Sequence, residues 1–217
     1  MRKFDGLLFD LDGVLVDTAK YHFLAWKRMA DSLEVDFDEE RNEKLKGVSR
    51  VESLRRILEW GGLSLTNDEF QDAMDRKNRW YLEFVEKMTP DELLPGALRL
   101  LTEAKKAGYN IALGSASKNS MLILNRTGIT PLFDAIIDGN RTSRSKPDPE
   151  VFVLGAYDLN LSPTKCVVFE DAEAGIEAAK AAGMYAVGIG KPEVLDKADL
   201  VIPGFGAFGL SDLEKLW

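Results

Sequence analysis

Five short apolar runs punctuate the chain, and each ends in turn or acidic residues: Leu7–Phe9, Ile111–Leu113, Ala135–Ile137, Val167–Phe169 and Ala186–Ile189. Most do not alternate apolar with polar, which is the pattern of strands buried on both faces of a parallel sheet. Helical patterns stand between them. Ala97–Ala107 ends at Gly108 with Lys105 and Lys106 in its last turn, where cations suit the helix dipole. Ala174–Ala182 ends at Gly183 in the same way, and Asp148-Pro149-Glu150 reads as an N-cap followed by proline at the first helical position. A strand–helix alternation of this kind predicts an α/β fold, a doubly wound, Rossmann-like and mostly parallel sheet.

Residues 18–93 break that alternation and offer no convincing strand. Tyr21–Leu33 has helical spacing through Ala25, Met29 and Leu33. Ser49-Arg50-Val51-Glu52 and Thr66-Asn67-Asp68-Glu69 are capping boxes. The first opens a helix through Ile57 and Leu58, the second a longer one through Phe70, Met74, Trp80, Tyr81 and Phe84. The expected organisation is an α/β core domain from residues 1–17 and 94–217, with an inserted all-helical cap domain from 18–93. Two adjacent linkers, Val16-Asp17-Thr18 and Leu93-Leu94-Pro95-Gly96, would let the insert swing as a lid.

A length of 217 residues suits a core domain with a smaller insert. The formal net charge of −8 argues against nonspecific nucleic-acid or anionic-membrane binding, while leaving room for local cations that hold anionic substrates. No run of about 18 apolar residues suggests a membrane span, and Asp5 precedes any long apolar stretch, which is unlike a signal peptide. Cys166, the single cysteine, opens an apolar run and reads as an inert core thiol. A cytoplasmic monomer is the expectation.

Phe9-Asp10-Leu11-Asp12-Gly13-Val14-Leu15 carries two carboxylates where a strand gives way to a glycine. With an extended backbone through Asp10, the period of two places both on one face. Two like charges that close call for a metal, a shared proton or separate roles as nucleophile and acid. In a doubly wound sheet ligands bind beyond the carboxyl ends of the strands. The residues at those ends are Asp10 and Asp12, Ser115, Glu170 and Asp171, with Lys146, kept extended by Pro147, after the third run. Taken singly, Ser115 could cap a helix, Lys146 could be a surface charge, and Glu170-Asp171 could complement a helix dipole. Together, carboxylate oxygens suited to Mg²⁺ and a hydroxyl and ammonium suited to phosphate describe a phosphoryl-transfer site.

These motifs, Asp10-Leu11-Asp12-Gly13, Ser115, Lys146-Pro147 and Glu170-Asp171, resemble those of the haloacid dehalogenase-like superfamily across essentially the whole chain. Further segments are similar to the glucose-phosphate mutases within it: Asp17–Trp26, Leu45–Arg50, Arg76-Lys77-Asn78, Ser115–Asn119 and Glu170–Ile176. The resemblance implies interconversion of β-D-glucose 1-phosphate and β-D-glucose 6-phosphate through an aspartyl phosphate and β-glucose 1,6-bisphosphate. It implies Asp10 as nucleophile and metal ligand, and Asp12 as general acid and base with its carbonyl on the metal. Asp171 would ligate Mg²⁺ and Glu170 would support it. Ser115, Ala116 and Lys146 would hold the transferring phosphate. Arg50, Ser117, Lys118 and Asn119 would hold the distal one. Trp26, Lys46, Gly47, Val48, Ser53 and Lys77 would shape the sugar pocket, and Thr18 and His22 would serve cap closure. The partners implied are small sugar phosphates. A Mg²⁺-dependent sugar-phosphate phosphatase shares the core motifs, and a noncatalytic sugar-phosphate sensor is the alternative from another class. Two features depart from the pattern. Ala172 stands where many relatives carry serine, and the loop 138–144, with Arg141 and Arg144, is unusually basic. That loop either tunes phosphate entry or is simply solvated.

Overall fold

The computed structural model describes residues 2–45 and 48–213. They form two compact units, one made of the chain up to Asp17 and from Thr89 onward, the other Thr18–Met88.

The first unit is built on strands β1 (Gly6–Phe9), β2 (Asn110–Gly114), β3 (Ala135–Ile137), β4 (Cys166–Glu170), β5 (Tyr185–Ile189) and β6 (Leu200–Ile202). The α-helices among the described residues are α1 (Ala19–Ser32), α2 (Glu39–Glu43), α3 (Arg50–Gly61), α4 (Asn67–Val85), α5 (Ala97–Lys106), α6 (Ser120–Thr127), α7 (Glu150–Asp158), α8 (Glu173–Ala181) and α9 (Leu210–Leu213). The sheet order is β3-β2-β1-β4-β5-β6, and all five pairings are parallel. β1 is therefore central, and the order reverses on either side of it, which opens a crevice at its carboxyl end. The register Leu8↔Ala112 and Leu8↔Val168↔Ala186 puts these four side chains on one face, where they pack with Phe152 of α7 and Ile176 of α8. On the other face Phe9 stacks on Phe169, with Phe205 and Phe208 edge-on to Phe169. Arg99 of α5 donates to the carbonyls of both Phe205 and Phe208 at 2.7 Å and fixes that aromatic layer.

All five predicted strands are present. β6, Leu200–Ile202, is an edge strand that the five predicted runs did not include. Residues 89–93, counted with the insert on sequence, lie in the sheet unit. Leu93 bridges Val16, and the Leu94 N–H donates to the Leu15 carbonyl at 2.9 Å, so the two linkers run side by side.

Among the described residues the second unit is helical without a strand. α1 buries Ala25, Trp26, Met29 and Ala30 against Leu54, Ile57, Leu58 and Ala73. Thr66 forms the full reciprocal capping box with Glu69 at the start of α4. At α3, Ser49 accepts from the Glu52 N–H at 3.3 Å. Among the described residues no helix is long and apolar enough to cross a membrane.

Candidate active site

β1 stops at Phe9, and the chain then turns. The Gly13 N–H donates to the Val16 carbonyl, and the Leu15 and Val16 N–H groups both donate to Leu11. Asp12, two residues beyond Asp10, forms an isolated bridge with Val16. A carboxylate from the neighbouring strand also comes close to Asp10. Phe9 pairs with Phe169, so Asp10 and Glu170 leave adjacent strands on the same face as Leu8 and Val168.

Two buried like charges at that spacing need a counter-charge, and Lys146 supplies it. Its ammonium donates to Asp10 Oδ1 at 2.5 Å and to Glu170 Oε2 at 2.8 Å, and it lies 4.8 Å from the centre of the Phe152 ring. The Lys146–Pro147 peptide is cis. Burial works to lower the Lys146 pKa, but Asp10 and Glu170 overcome it and raise the value above its usual range. Glu170 is pushed up to about 8, by burial first and by Asp10 and Asp171 next, with Lys146 opposing. Its other oxygen accepts from the Ala172 N–H at 3.3 Å, so at the position where relatives carry serine the backbone supplies a hydrogen bond.

Asp10, Glu170 and Asp171 each offer an oxygen, all within 4.8 Å of one another. Three carboxylates against one ammonium leave a local excess of negative charge, and hard oxygen donors of this kind fit a divalent cation such as Mg²⁺. The Asp12 side chain is not among the converging oxygens. Gly13 has φ +76°, and a Cβ there would overlap the Asp171 carboxylate, so the glycine is what allows the two loops to approach.

Ser115, buried at the end of β2, donates its N–H to the Ile137 carbonyl at 3.0 Å and accepts from the Ser117 N–H at 3.1 Å. Ser117 Oγ in turn accepts from the Asn119 N–H at 3.2 Å. The loop Ser115–Asn119 is thus wound on itself, with Ala116 and Lys118 exposed. Asn140 Nδ2 ties it to the next loop through the Lys118 carbonyl.

In the helical unit, the predicted residues Lys77, His22 and Trp26 come together in a second cluster. Lys77 Nζ is 2.9 Å from His22 Nδ1 and lies 4.5 Å and 5.0 Å from the ring centres of Trp26 and Tyr81. His22 stacks on Tyr81 with centroids 4.2 Å apart. Burial first, then the charges of Lys77 and Arg50, hold the His22 pKa well below its usual value. Arg50 opens α3, and Ser53 is buried one turn on. Trp26 belongs to the apolar core and offers its ring face to Lys77. Thr18 is buried ahead of α1, and Val48 precedes α3 in irregular chain. Lys46 and Gly47 lie outside the described residues. Tyr81, read from sequence only as part of a helical stripe, is the member of this cluster that the motifs did not point to.

The class follows from this geometry together with a profile of the haloacid dehalogenase-like hydrolases that matches residues 4–183: the chain belongs to that family. Within it, the chain is 47% identical to the β-phosphoglucomutase of Bacillus subtilis over 214 residues, covering 98% of this chain and 95% of that one. A crystal structure of β-phosphoglucomutase from Clostridium difficile superposes with a TM-score of 0.94 at 40% identity, covering 98% of this chain and 96% of that one. At 31% identity over 183 residues, 83% of this chain and 82% of the relative, the chain is also similar to a phosphorylated carbohydrates phosphatase of Thermotoga maritima.

Proposed function

We propose that this enzyme is an isomerase that interconverts β-D-glucose 1-phosphate and β-D-glucose 6-phosphate, with β-glucose 1,6-bisphosphate as intermediate. The observation that carries the reading is the Lys146 ammonium held between Asp10 and Glu170 at the carboxyl edge of the central strands. A fixed cation beside a nucleophilic carboxylate is what phosphoryl transfer requires, because catalysis there is positioning and charge neutralisation. The likeness to the two mutases supports the choice of substrate.

Asp10, Glu170 and Asp171, with the Asp12 carbonyl, would hold Mg²⁺, which would supply neutralisation of phosphoryl charge. One Asp10 oxygen attacks phosphorus in the bisphosphate, the bond from phosphorus to the sugar oxygen breaks, and Asp12 gives that oxygen a proton. In the reverse sense, on the other sugar hydroxyl, Asp12 takes the proton while the aspartyl phosphate surrenders its group. Ser115, the Ala116 N–H and Lys146 hold the moving phosphate. Arg50, Ser117, Lys118 and Asn119 are assigned to the second phosphate. Trp26, Val48, Ser53 and Lys77 are assigned to the sugar, and Thr18 and His22 to the conformational step.

The test is incubation with pure β-glucose 1-phosphate, Mg²⁺ and a trace of the 1,6-bisphosphate. Glucose 6-phosphate without stoichiometric inorganic phosphate is expected; phosphate release dominating at every concentration overturns the reading. That outcome would favour the phosphatase alternative, which the Thermotoga relative supports. Arg50→Ala separates the two further, since losing a grip on a second phosphate cripples a mutase and spares hydrolysis of small monophosphates.

A further inference from the structure

The basic loop is exposed to solvent at Arg141, Ser143 and Arg144, but its arginines have carboxylate partners. Both arginines are taken up by carboxylates at the two ends of α7. Arg141 pairs with Asp158 at 2.5 Å, and Arg144 pairs with Asp148 at 2.9 Å and Glu150 at 4.0 Å. Between these staples, the Glu150 carboxylate accepts from the Ser143 N–H and hydroxyl, both at 2.9 Å, and from the Arg144 N–H at 2.6 Å. These bonds hold the Glu150 carboxyl below its usual range, the Arg144 N–H first and the Ser143 hydroxyl next. The Glu150 N–H donates to Asp148 Oδ1 at 3.0 Å, and the Asp148 N–H donates to the Ser145 carbonyl at 3.0 Å. Residues 143–150 thus close into a hydrogen-bonded ring, and Lys146 lies within it.

As the acid in the first turn of α7, Glu150 complements the helix dipole, a role any exposed carboxylate fills. The geometry points to more. A lysine reaches its target through a four-carbon stem with several rotatable bonds, so contacts of 2.5 Å and 2.8 Å to two carboxylates require a fixed Cα. Lys146 sits in irregular chain, in neither helix nor strand. The carboxylate that ties Ser143 and Arg144 down takes the place of secondary structure.

We propose that Glu150 is a positioning residue for Lys146, holding the 143–146 segment in the conformation from which the ammonium reaches Asp10 and Glu170. The inference rests on the reading above that Lys146 holds the transferring phosphate. Glu150 itself touches neither substrate nor the reacting atoms.

The experiment compares Glu150→Ala, Glu150→Gln, Lys146→Ala and the double variant Lys146→Ala/Glu150→Ala. It uses mutase kinetics, thermal melting and amide exchange at Ser143 and Arg144. Glu150→Ala is expected to lower kcat by about 10–100-fold, the scale of an ångström-level misplacement, with KM within about threefold. Exchange at the two amides should quicken while circular dichroism stays unchanged. Glu150→Gln keeps the shape but turns one acceptor into a donor facing N–H groups, and should lose rate while remaining folded. The deciding readout is coupling. In the Lys146→Ala background the Glu150 change should cost nothing further, because the group it positions is gone. An equal loss in both backgrounds, or an unchanged rate with faster amide exchange, overturns the positioning role. If Lys146→Ala keeps the parent rate, the phosphate-holding reading of Lys146 fails instead.

Discussion

Lys146 in the sheet unit and Lys77 in the helical unit are both buried, yet their surroundings are opposite. Lys146 is ringed by carboxylates, whereas Lys77 lies over two aromatic rings and beside an imidazole. Burial alone lowers a lysine pKa. Around Lys146, Asp10 and Glu170 reverse that and lock the charge on. Around Lys77 the charge acts outward, with burial, to keep His22 neutral. The same residue type is a fixed cation in one unit and a lever on a titratable neighbour in the other. Burial therefore says little about a lysine until the groups within hydrogen-bonding reach are known.

The largest expected effect that sharpens this contrast is on chemistry. Lys146→Ala should reduce transfer by about 10²–10³-fold, as losing a group aimed at developing charge does, while Lys77→Met should leave Asp10 able to accept phosphate. Acid-labile phosphate on the protein after mixing with the bisphosphate measures this; equal loss in both variants breaks the comparison.

Next comes pH. The His22 pKa lies below its unfolded value, so the folded protein takes up fewer protons, and this contribution to stability falls as pH drops below about 6.5. Glu170 is raised from 4.5 to about 8, so in metal-free protein its contribution is full below 4.5 and is lost as pH rises toward 8. Melting temperature in chelator should therefore fall in both directions, with His22→Gln flattening the acid limb and Glu170→Gln the alkaline one. Limbs that persist in both variants would sink the assignment. The chain has a single histidine, so its NMR titration is unambiguous, and Lys77→Met should move that titration to higher pH.

The smallest effect contrasts two left-handed glycines, Gly13 at φ +76° and Gly62 at φ +62°. A Cβ at Gly62 meets nothing within 4 Å, so Gly62→Ala should cost only about 1–2 kcal/mol of backbone strain and spare activity. At Gly13 the same change adds overpacking of about 1–3 kcal/mol and drives Asp171 out of place. Chemical denaturation with parallel assays checks both, and a Gly13→Ala enzyme of parent activity would show that Asp171 need not stand where it does.

Periodicity made the fold class legible, because strands buried on both faces and helices with one apolar stripe leave different marks on a sequence. The capping box Thr66–Glu69 and the core positions of α1 were equally visible. The acidic residues at the strand ends were legible as types at places. Their partners were not. Sequence places Asp12 two residues from Asp10, but it does not record that Lys146 donates to both Asp10 and Glu170. The two arginines of the loop 138–144 read as a basic patch because the carboxylates that take them up are brought there by α7.

By itself, then, the sequence determined which elements form and which residue types stand at their ends, since both depend on local spacing and propensity. The tertiary structure alone decided which charges share an environment. Strand register brought Glu170 beside Asp10, and a ring of hydrogen bonds on Glu150 placed Lys146 between them. Coulombic coupling and desolvation act over a few ångströms of space and are indifferent to separation along the chain, so no local pattern could record them.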